Sequence, residues 1–163
     1  MSRLDSFIRR LQAQRACLDH AAALVADLSG PVLELGLGNG RTYDHLRERL
    51  PGRDIYVCDR QVAAHPDCIP PERFLILGDV RETLPRLAIR VGNTVALVHA
   101  DLGSGDAAAS RRQAEDLAPI VAGLLRPSGI VVSDQPLPAP RLRPLDLPAG
   151  VKPGRYFLYR AES

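Results

Sequence analysis

Apolar residues recur at helical spacing near the start of the chain. Four of them stand three or four positions apart: Leu4, Phe7, Ile8 and Leu11. Residues 16–28 repeat the pattern, which is typical of one buried helix face. We therefore expect residues 1–28 to form one broken helix or two short helices, ending at Ser29-Gly30-Pro31, where glycine and proline interrupt the pattern.

Five short apolar runs follow this helical leader, and helical stretches separate them. The predicted strands are 32–35, 55–58, 74–77, 95–100 and 130–133, and the predicted helices are 42–50, 80–90 and 107–125. Regular alternation of strands and helices predicts an α/β fold with a doubly wound, mostly parallel sheet and right-handed crossovers. Ligands of such sheets bind at the carboxyl ends of the strands.

The segment from Asp134 to Gly154 is irregular. It holds six prolines, a density that excludes a regular helix and permits only an edge strand around 142–147. Residues 156–159 are apolar and aromatic, and we expect them to form a last strand that pairs antiparallel with the sheet. The sheet then has six or seven strands.

The length of 163 residues fits a single domain. We divide it into the leader at 1–28, a ligand-binding core at 32–133, and a Pro-rich segment with the terminal strand at 134–163. The net charge of +2 falls well short of the basic stripe of a nucleic-acid-binding protein, so no nucleic-acid partner is indicated.

Cysteine usage and the polarity of the leader indicate the compartment. The three cysteines are odd in number and lack CxxC spacing, which argues against a disulfide framework or a zinc site. Charged residues interrupt each apolar run of the leader, so we expect neither a signal peptide nor a membrane span. A cytoplasmic protein is predicted.

The clearest ligand-binding pattern is Glu34-Leu-Gly36-Leu-Gly38-Asn-Gly40-Arg-Thr42, between the first strand and the next helix. Three glycines at alternate positions let the backbone turn sharply and approach a ligand closely. The helix N-terminus behind them offers free N–H donors to an oxygen group. The alternative is a glycine turn that merely connects two elements.

Two carboxylates end later strands. Asp59 follows the second strand, where it can accept hydrogen bonds from both ribose hydroxyls of a nucleoside; the alternative is a turn residue. Asp79 follows the third strand, where it can accept from an adenine amine or cap the next helix.

These residues resemble the class I S-adenosylmethionine-dependent methyltransferases, whose first motif is an acidic residue followed by GxGxG. The resemblance runs from Val32 to Tyr159 and implies a Rossmann-like fold with S-adenosyl-L-methionine as cofactor. It implies that the glycine loop packs on the methionine part, Asp59 holds the ribose and Asp79 faces the adenine. The expected cofactor-binding residues are Glu34, Gly36, Leu37, Gly38, Asn39, Gly40, Thr42, Asp59, Arg60, Asp79 and Val80.

A closer similarity is to short bacterial single-domain methyltransferases without an assigned substrate. It rests on the arginine-rich leader, on His99-Ala-Asp101-Leu-Gly103 and on the ending Gly154-Arg-Tyr-Phe-Leu-Tyr159. In such relatives the leader often closes over the cofactor pocket, and we expect the same here. With so little chain outside the core, a homodimer partner could help to select the methyl acceptor.

Two alternatives share this pattern. A nicotinamide-binding Rossmann domain has the fingerprint GxGxxG, whereas here the third glycine comes one residue early and Glu34 places a negative charge near the pyrophosphate site. A non-catalytic module that binds S-adenosylmethionine is the other alternative.

Methyl transfer is an in-line displacement that needs positioning, and needs a base only if the acceptor must lose a proton. Asp101, after the fourth strand, is the candidate base or acceptor-orienting group, or else a solvated strand-end carboxylate. His99 is expected to be packed rather than catalytic. The sequence after the fourth strand lacks the Asn-Pro-Pro-aromatic motif of amino-methylating relatives, and no Pro-Cys pair occurs, so a small-molecule oxygen or nitrogen acceptor is expected.

A metal site is a further possibility. Asp101 with Asp134-Gln135 resembles the Asp…Asp-Asn metal set of catechol-type O-methyltransferases, and such oxygen ligands suit Mg²⁺. Gln135 replaces the usual asparagine, and the Pro-rich stretch after it is atypical, so we assign no metal.

Overall fold

The computed structural model describes residues 2–163. Its helices are α1 (Arg3–Leu24), α2 (Arg41–Arg49), α3 (Val80–Val91) and α4 (Ala107–Leu124). Its strands are β1 (Val32–Leu35), β2 (Ile55–Asp59), β3 (Leu75–Leu77), β4 (Val95–Ala100), β5 (Leu125–Ser133), β6 (Leu142–Pro144) and β7 (Phe157–Ala161). Two short 3₁₀ turns, Pro66–Cys68 and Glu72–Phe74, lie between β2 and β3.

The strands form one seven-stranded sheet in the order β3-β2-β1-β4-β5-β7-β6. The first five strands are parallel, and β7 is antiparallel to both of its neighbours. This is the doubly wound, Rossmann-like sheet expected from the alternation, and the antiparallel last strand is confirmed. Because the strand order reverses beside β1, the carboxyl ends of β1 and β4 open a crevice at this edge of the sheet.

Helices cover both faces of the sheet, so two cores form. Helices α1 and α2 pack on one face, where Leu18 and Leu46 are fully buried against Val57. Helices α3 and α4 pack on the other face, around Leu84 and Val121. Strands buried on both faces read as continuous apolar runs, which is why their positions could be predicted.

The leader differs from the expectation, because it is one unbroken helix. The residues between its two apolar stretches, Gln12 to Ala16, are strong helix formers, and nothing in them interrupts the backbone hydrogen bonds. The helix begins at a capping box in which Ser2 and Asp5 each accept from the other's backbone N–H, at 3.0 and 3.1 Å.

Strand β5 begins at Leu125, five residues before the expected start at Ile130. Its pairing with β4 is irregular between Val95 and Leu97, and Ser128 has a φ of 67°. Residues 126–129, which include Pro127 and Gly129, have no partner on β4, and regular pairing resumes at Ile130, where the sequence predicted the strand to begin.

Within residues 2–163, no helix is long and apolar enough to cross a membrane.

Candidate functional site

A cleft of about 480 Å³ lies at the carboxyl ends of β1, β2 and β4. Six residues singled out from the sequence line it: Gly36, Gly38, Asp59, Arg60, Val80 and Asp101. The loop after β4 and the first turns of α4 supply lining residues that the sequence did not indicate, among them Leu102, Ser104 and Gln113. A cleft of this size falls within the range of small-molecule sites in proteins.

The glycine loop leaves room for a ligand on one side and none on the other. Gly36 has a φ of 93°, and a Cβ there would lie 2.6 Å from the Asp101 carbonyl oxygen. Gly40 has a φ of 84°, and its Cβ would lie 2.5 Å from the Cys68 Cβ. Gly38 lines the cleft, and no described atom lies within 4 Å of its Cβ position. The loop therefore packs tightly behind and opens toward the cleft, as a backbone cradle for a bulky cofactor requires.

Asp59 ties the end of β2 to the glycine loop. Its Oδ2 accepts from the backbone N–H groups of Leu37 at 2.7 Å and Gly38 at 3.0 Å. Its Oδ1 accepts from the N–H groups of Arg60 and Gln61. Two N–H groups of the glycine loop are therefore bonded within the protein, because the strand-end carboxylate lies directly against them.

Other donors of the loop are also used internally. The Gly40 N–H donates to the Leu37 carbonyl at 2.8 Å, and the Arg41 N–H donates to Asn39 Oδ1 at 3.3 Å. These bonds fix the turn into α2 and hold Leu37, Asn39 and Gly40 in the loop rather than in the wall of the cleft.

Asp79 caps α3, which was one of the two interpretations of its position in the sequence. Its Oδ1 accepts from the Arg81 N–H at 3.0 Å, and its Oδ2 pairs with the Arg60 guanidinium at 3.0 Å. The Arg81 N–H and then Arg60 lower the pKa of this exposed carboxyl below its ordinary value. The neighbouring Val80, at the start of α3, faces the cleft.

Glu34, the acidic residue of the glycine motif, is fully buried beneath the cleft. Its Oε1 accepts from the Thr42 hydroxyl of α2, and its Oε2 lies 2.8 Å from His99 Nδ1 on β4. Through these two contacts, Glu34 on β1 links the first turn of α2 to the neighbouring strand β4. Glu34 and Thr42 therefore support the glycine loop from below.

His99 is packed, as expected, and it is also charged more readily than an ordinary histidine. Burial by itself would lower the pKa of His99, but the adjacent Glu34 carboxylate raises it above the ordinary value. Its Nε2 has no hydrogen-bond partner among the residues that the structure describes.

Asp101, just after β4, is contacted by side chains from α1 and by the residue just before β7. It accepts from Arg10 Nη2 at 2.7 and 2.9 Å and from Gln14 Nε2 at 2.7 Å, both on α1. The Tyr156 hydroxyl, just before β7, lies 3.4 Å from the same carboxylate. Arg10, Gln14 and Tyr156 were missed in the sequence, since they stand 91, 87 and 55 positions from Asp101.

Asp101, Asp134 and Gln135, the three residues that resemble a metal set, make hydrogen bonds and an ion pair within the protein. Asp134 Oδ2 accepts from the Gly103 N–H at 3.0 Å and from Gln135 Nε2 at 3.3 Å, while Arg10 binds Asp101. Burial and then the nearby Asp101 raise the pKa of Asp134. No group of three or more His, Cys, Asp or Glu side chains that could hold a metal ion occurs within residues 2–163.

Comparison with known proteins supplies the family. Residues 1–161 match the family described as S-adenosyl-L-methionine methyltransferase. A crystal structure of an S-adenosyl-L-methionine methyltransferase from Silicibacter pomeroyi DSS-3 is 53% identical, with a TM-score of 0.94 and 99% of each chain covered. Comparison with curated protein sequences gives no match.

More distant structures share the fold. TomG, an O-methyltransferase from Streptomyces achromogenes solved with S-adenosylmethionine, is 15% identical with a TM-score of 0.54, covering 72% of this chain and 54% of its own. A Burkholderia thailandensis 1,6-didemethyltoxoflavin-N1-methyltransferase with bound S-adenosylhomocysteine is 17% identical with a TM-score of 0.52, covering 94% and 81%. The match over the whole chain sets aside the dinucleotide-binding alternative. The chain belongs to the S-adenosyl-L-methionine methyltransferase family, and S-adenosyl-L-methionine is its cofactor.

Proposed function

We propose that the enzyme methylates an oxygen or nitrogen atom of a small molecule, in the cleft beside Asp101. The proposed cofactor-binding residues are Glu34, Gly36, Leu37, Gly38, Asn39, Gly40, Thr42, Asp59, Arg60, Asp79 and Val80. The single observation that carries the proposal is the cleft itself, because it joins the open side of Gly38 to Asp59 at one end and to Asp101 at the other.

The residues of the proposed cofactor site divide into those that contact and those that support. Gly36, Gly38, Asp59 and Val80 line the cleft and are the proposed direct contacts. A carboxylate has about four lone-pair sites, and four backbone N–H groups already donate to Asp59. A ribose hydroxyl therefore binds Asp59 by replacing the longest of these bonds, the one from the Gln61 N–H at 3.4 Å, while Oδ2 still holds the loop. The buried Glu34 takes the supporting part.

When bound, S-adenosyl-L-methionine would supply a methyl group on a positively charged sulfur, and S-adenosylhomocysteine would leave as the acceptor atom takes the methyl carbon in line. The protein's part is to orient the acceptor and to exclude water. We assign the orienting part to Asp101, because Arg10 and Gln14 hold its carboxylate in one position at the cleft. A hydroxyl or amine of the acceptor can then donate to it.

The cofactor site is tested by calorimetric titration with S-adenosylmethionine and, in parallel, with NAD. We expect roughly micromolar binding of the first alone, lost in Asp59→Ala. Asp59→Asn keeps one oxygen that can accept from the loop N–H groups, so the loop stays ordered. Weak binding in this variant therefore reports loss of the ribose acceptor and not disorder of the loop. The matched control is Asp54→Ala, an exposed carboxylate just before the same strand; equal weakening in the control would count against the site.

The acceptor is tested by release of S-adenosylhomocysteine from panels of small phenols, carboxylates and amines. With an acceptor found, we expect Asp101→Asn to lower kcat about 10- to 100-fold, and Asp146→Asn, an exposed loop carboxylate, to leave it unchanged. Turnover only on RNA or protein would overturn the small-molecule class.

A cytoplasmic location and a homodimer are also proposed. The three cysteines form no disulfide among the described residues, which fits a reducing compartment. Three apolar side chains on the first turns of α1 are exposed and can pair with a second copy: Leu4, Phe7 and Ile8.

A further inference from the structure

A second groove, of about 360 Å³, lies between α1 and the segment 149–155. Four of the ten residues that line it are cationic: Arg9, Arg15, Lys152 and Arg155. No acidic side chain lines it within residues 2–163. The whole chain carries 21 cationic and 19 acidic residues, so four positive charges in one groove are a strong local excess.

These four cations have no counter-ion in the part of the chain that the structure describes. Arg155 donates to the neutral Ser6 hydroxyl at 3.4 Å, and no hydrogen bond or ion pair within residues 2–163 engages the side chains of Arg9, Arg15 or Lys152. In contrast, Arg10, the neighbour of Arg9, is paired with Asp101. Like charges gathered without an anion repel one another, and a bound anion relieves that repulsion.

The floor of the groove leaves room for a ligand. Ala13, Ala16 and Gly150 contribute little or no side chain, and no described atom lies within 4 Å of the Cβ position of Gly150. A groove of about 360 Å³ suits a small molecule. A nucleic acid would need a longer basic surface, and the net charge of +2 does not provide one.

The groove also adjoins the residues that hold Asp101. Arg9 lines the groove, and the next residue, Arg10, binds Asp101; Arg155 lines it, and the next residue, Tyr156, reaches Asp101. A ligand seated in the groove therefore lies one residue away, along two separate segments, from the partners of the carboxylate at the cofactor cleft.

We propose that this groove binds a small molecule carrying phosphate or carboxylate groups. Guanidinium groups bind such anions through paired hydrogen bonds, and a lysine adds a point charge. The anion is either one end of the methyl acceptor or a separate effector, and the chemistry that binds it is the same in both cases.

The test is calorimetric titration with inorganic pyrophosphate and with citrate, at low ionic strength. The protein is first saturated with S-adenosylhomocysteine, so that the glycine loop and Arg60 are covered. We expect one anion per chain, with the dissociation constant raised about tenfold or more in Arg9→Glu and in Lys152→Glu. The matched control is Arg86→Glu, an exposed arginine on α3 at the opposite face, and we expect less than about a twofold change there.

Three results would overturn the proposal: no binding of either anion, equal weakening in Arg86→Glu, or binding of an RNA oligonucleotide while both small anions fail. Circular dichroism of each variant shows that it is folded. If S-adenosylhomocysteine fails to bind but pyrophosphate responds to Arg9→Glu, the groove stands and the proposed cofactor site falls.

The two sources of the anion are separated by kinetics. Pyrophosphate that competes with the acceptor, raising its KM with kcat unchanged, identifies the groove as the seat of the acceptor's anionic end. Pyrophosphate that changes kcat, or the affinity for S-adenosylmethionine, identifies an effector site. Either result supports the anion site.

Discussion

At the scale of single residues, Gly40 gives a direct test of why the loop needs glycine. It combines a φ of 84° with a Cβ position 2.5 Å from the Cys68 Cβ, whereas Gly52 has a φ of 79° and open space around its Cβ position. We expect Gly52→Ala to cost about 1 kcal/mol of unfolding free energy for the backbone alone, and Gly40→Ala about 2–4 kcal/mol. Urea unfolding measures both, and equal losses would show that the contact with Cys68 is harmless.

His99 gives a prediction on pH. Because Glu34 raises the pKa of folded His99, the folded state holds this proton more tightly than the unfolded chain does. The stabilisation is fully present below about pH 6.5, the ordinary histidine pKa, and is lost as pH rises through the raised value. We expect the stability advantage of the wild type over His99→Gln to be larger at pH 6 than at pH 9.

Urea unfolding at the two pH values measures that advantage. His20→Gln, on the exposed part of α1, is the control for removing an imidazole outside the core. An advantage that grows toward pH 9 would contradict the raised pKa.

At the scale of elements, the leader helix α1 contacts the site through Arg10 and Gln14, which both donate to Asp101. None of the described residues lining the cofactor cleft comes from α1, so closure of the leader over the pocket stays a prediction. Deleting residues 1–28 would also strip Cys17 and Leu18 from the core, so a point variant is the cleaner test.

The variant is Arg10→Ala. A half-exposed ion pair contributes about 1 kcal/mol, which corresponds to roughly fivefold in a binding constant. If this pair holds α1 closed over the bound cofactor, its loss lowers S-adenosylmethionine affinity by up to about that factor. Arg3→Ala, exposed on the same helix, is the control. Unchanged affinity in Arg10→Ala would argue that the leader is no lid.

The elements themselves were largely predictable, and their side-chain contacts were not. The run Val95–Ala100 is buried along its whole length, and its bounds were predicted as they are. The break expected in the leader was wrong, since periodicity does not reveal that a polar stretch such as Gln12–Ala16 continues a helix. Similarly, the spacing indicated Gly36 and Asp59, which line one cleft, but the partners of Asp101 come from the two ends of the chain, and only the tertiary fold brings them together.

At the scale of the whole molecule, the prediction concerns self-association into a homodimer. Leu4, Phe7 and Ile8 are 66%, 48% and 44% exposed on one helix, and contiguous exposed apolar side chains are typical of contact surfaces, which is the basis of the proposed homodimer. We expect a dimer in light scattering after gel filtration, with Phe7→Glu weakening it at least about tenfold. Ile89→Glu is the control, since Ile89 is an isolated apolar side chain on α3, 89% exposed. A monomer at every concentration of the wild type would refute the dimer.

The position of β7 affects how the protein folds as it is synthesised. This strand lies between β5 and β6 in the sheet, although both precede it in the chain. Until residues 157–161 have emerged from the ribosome, β5 has an unpaired edge and β6 has no partner. An open edge of apolar residues such as Ile130–Val132 can pair with other nascent chains, so aggregation competes with folding until β7 has taken its place in the sheet.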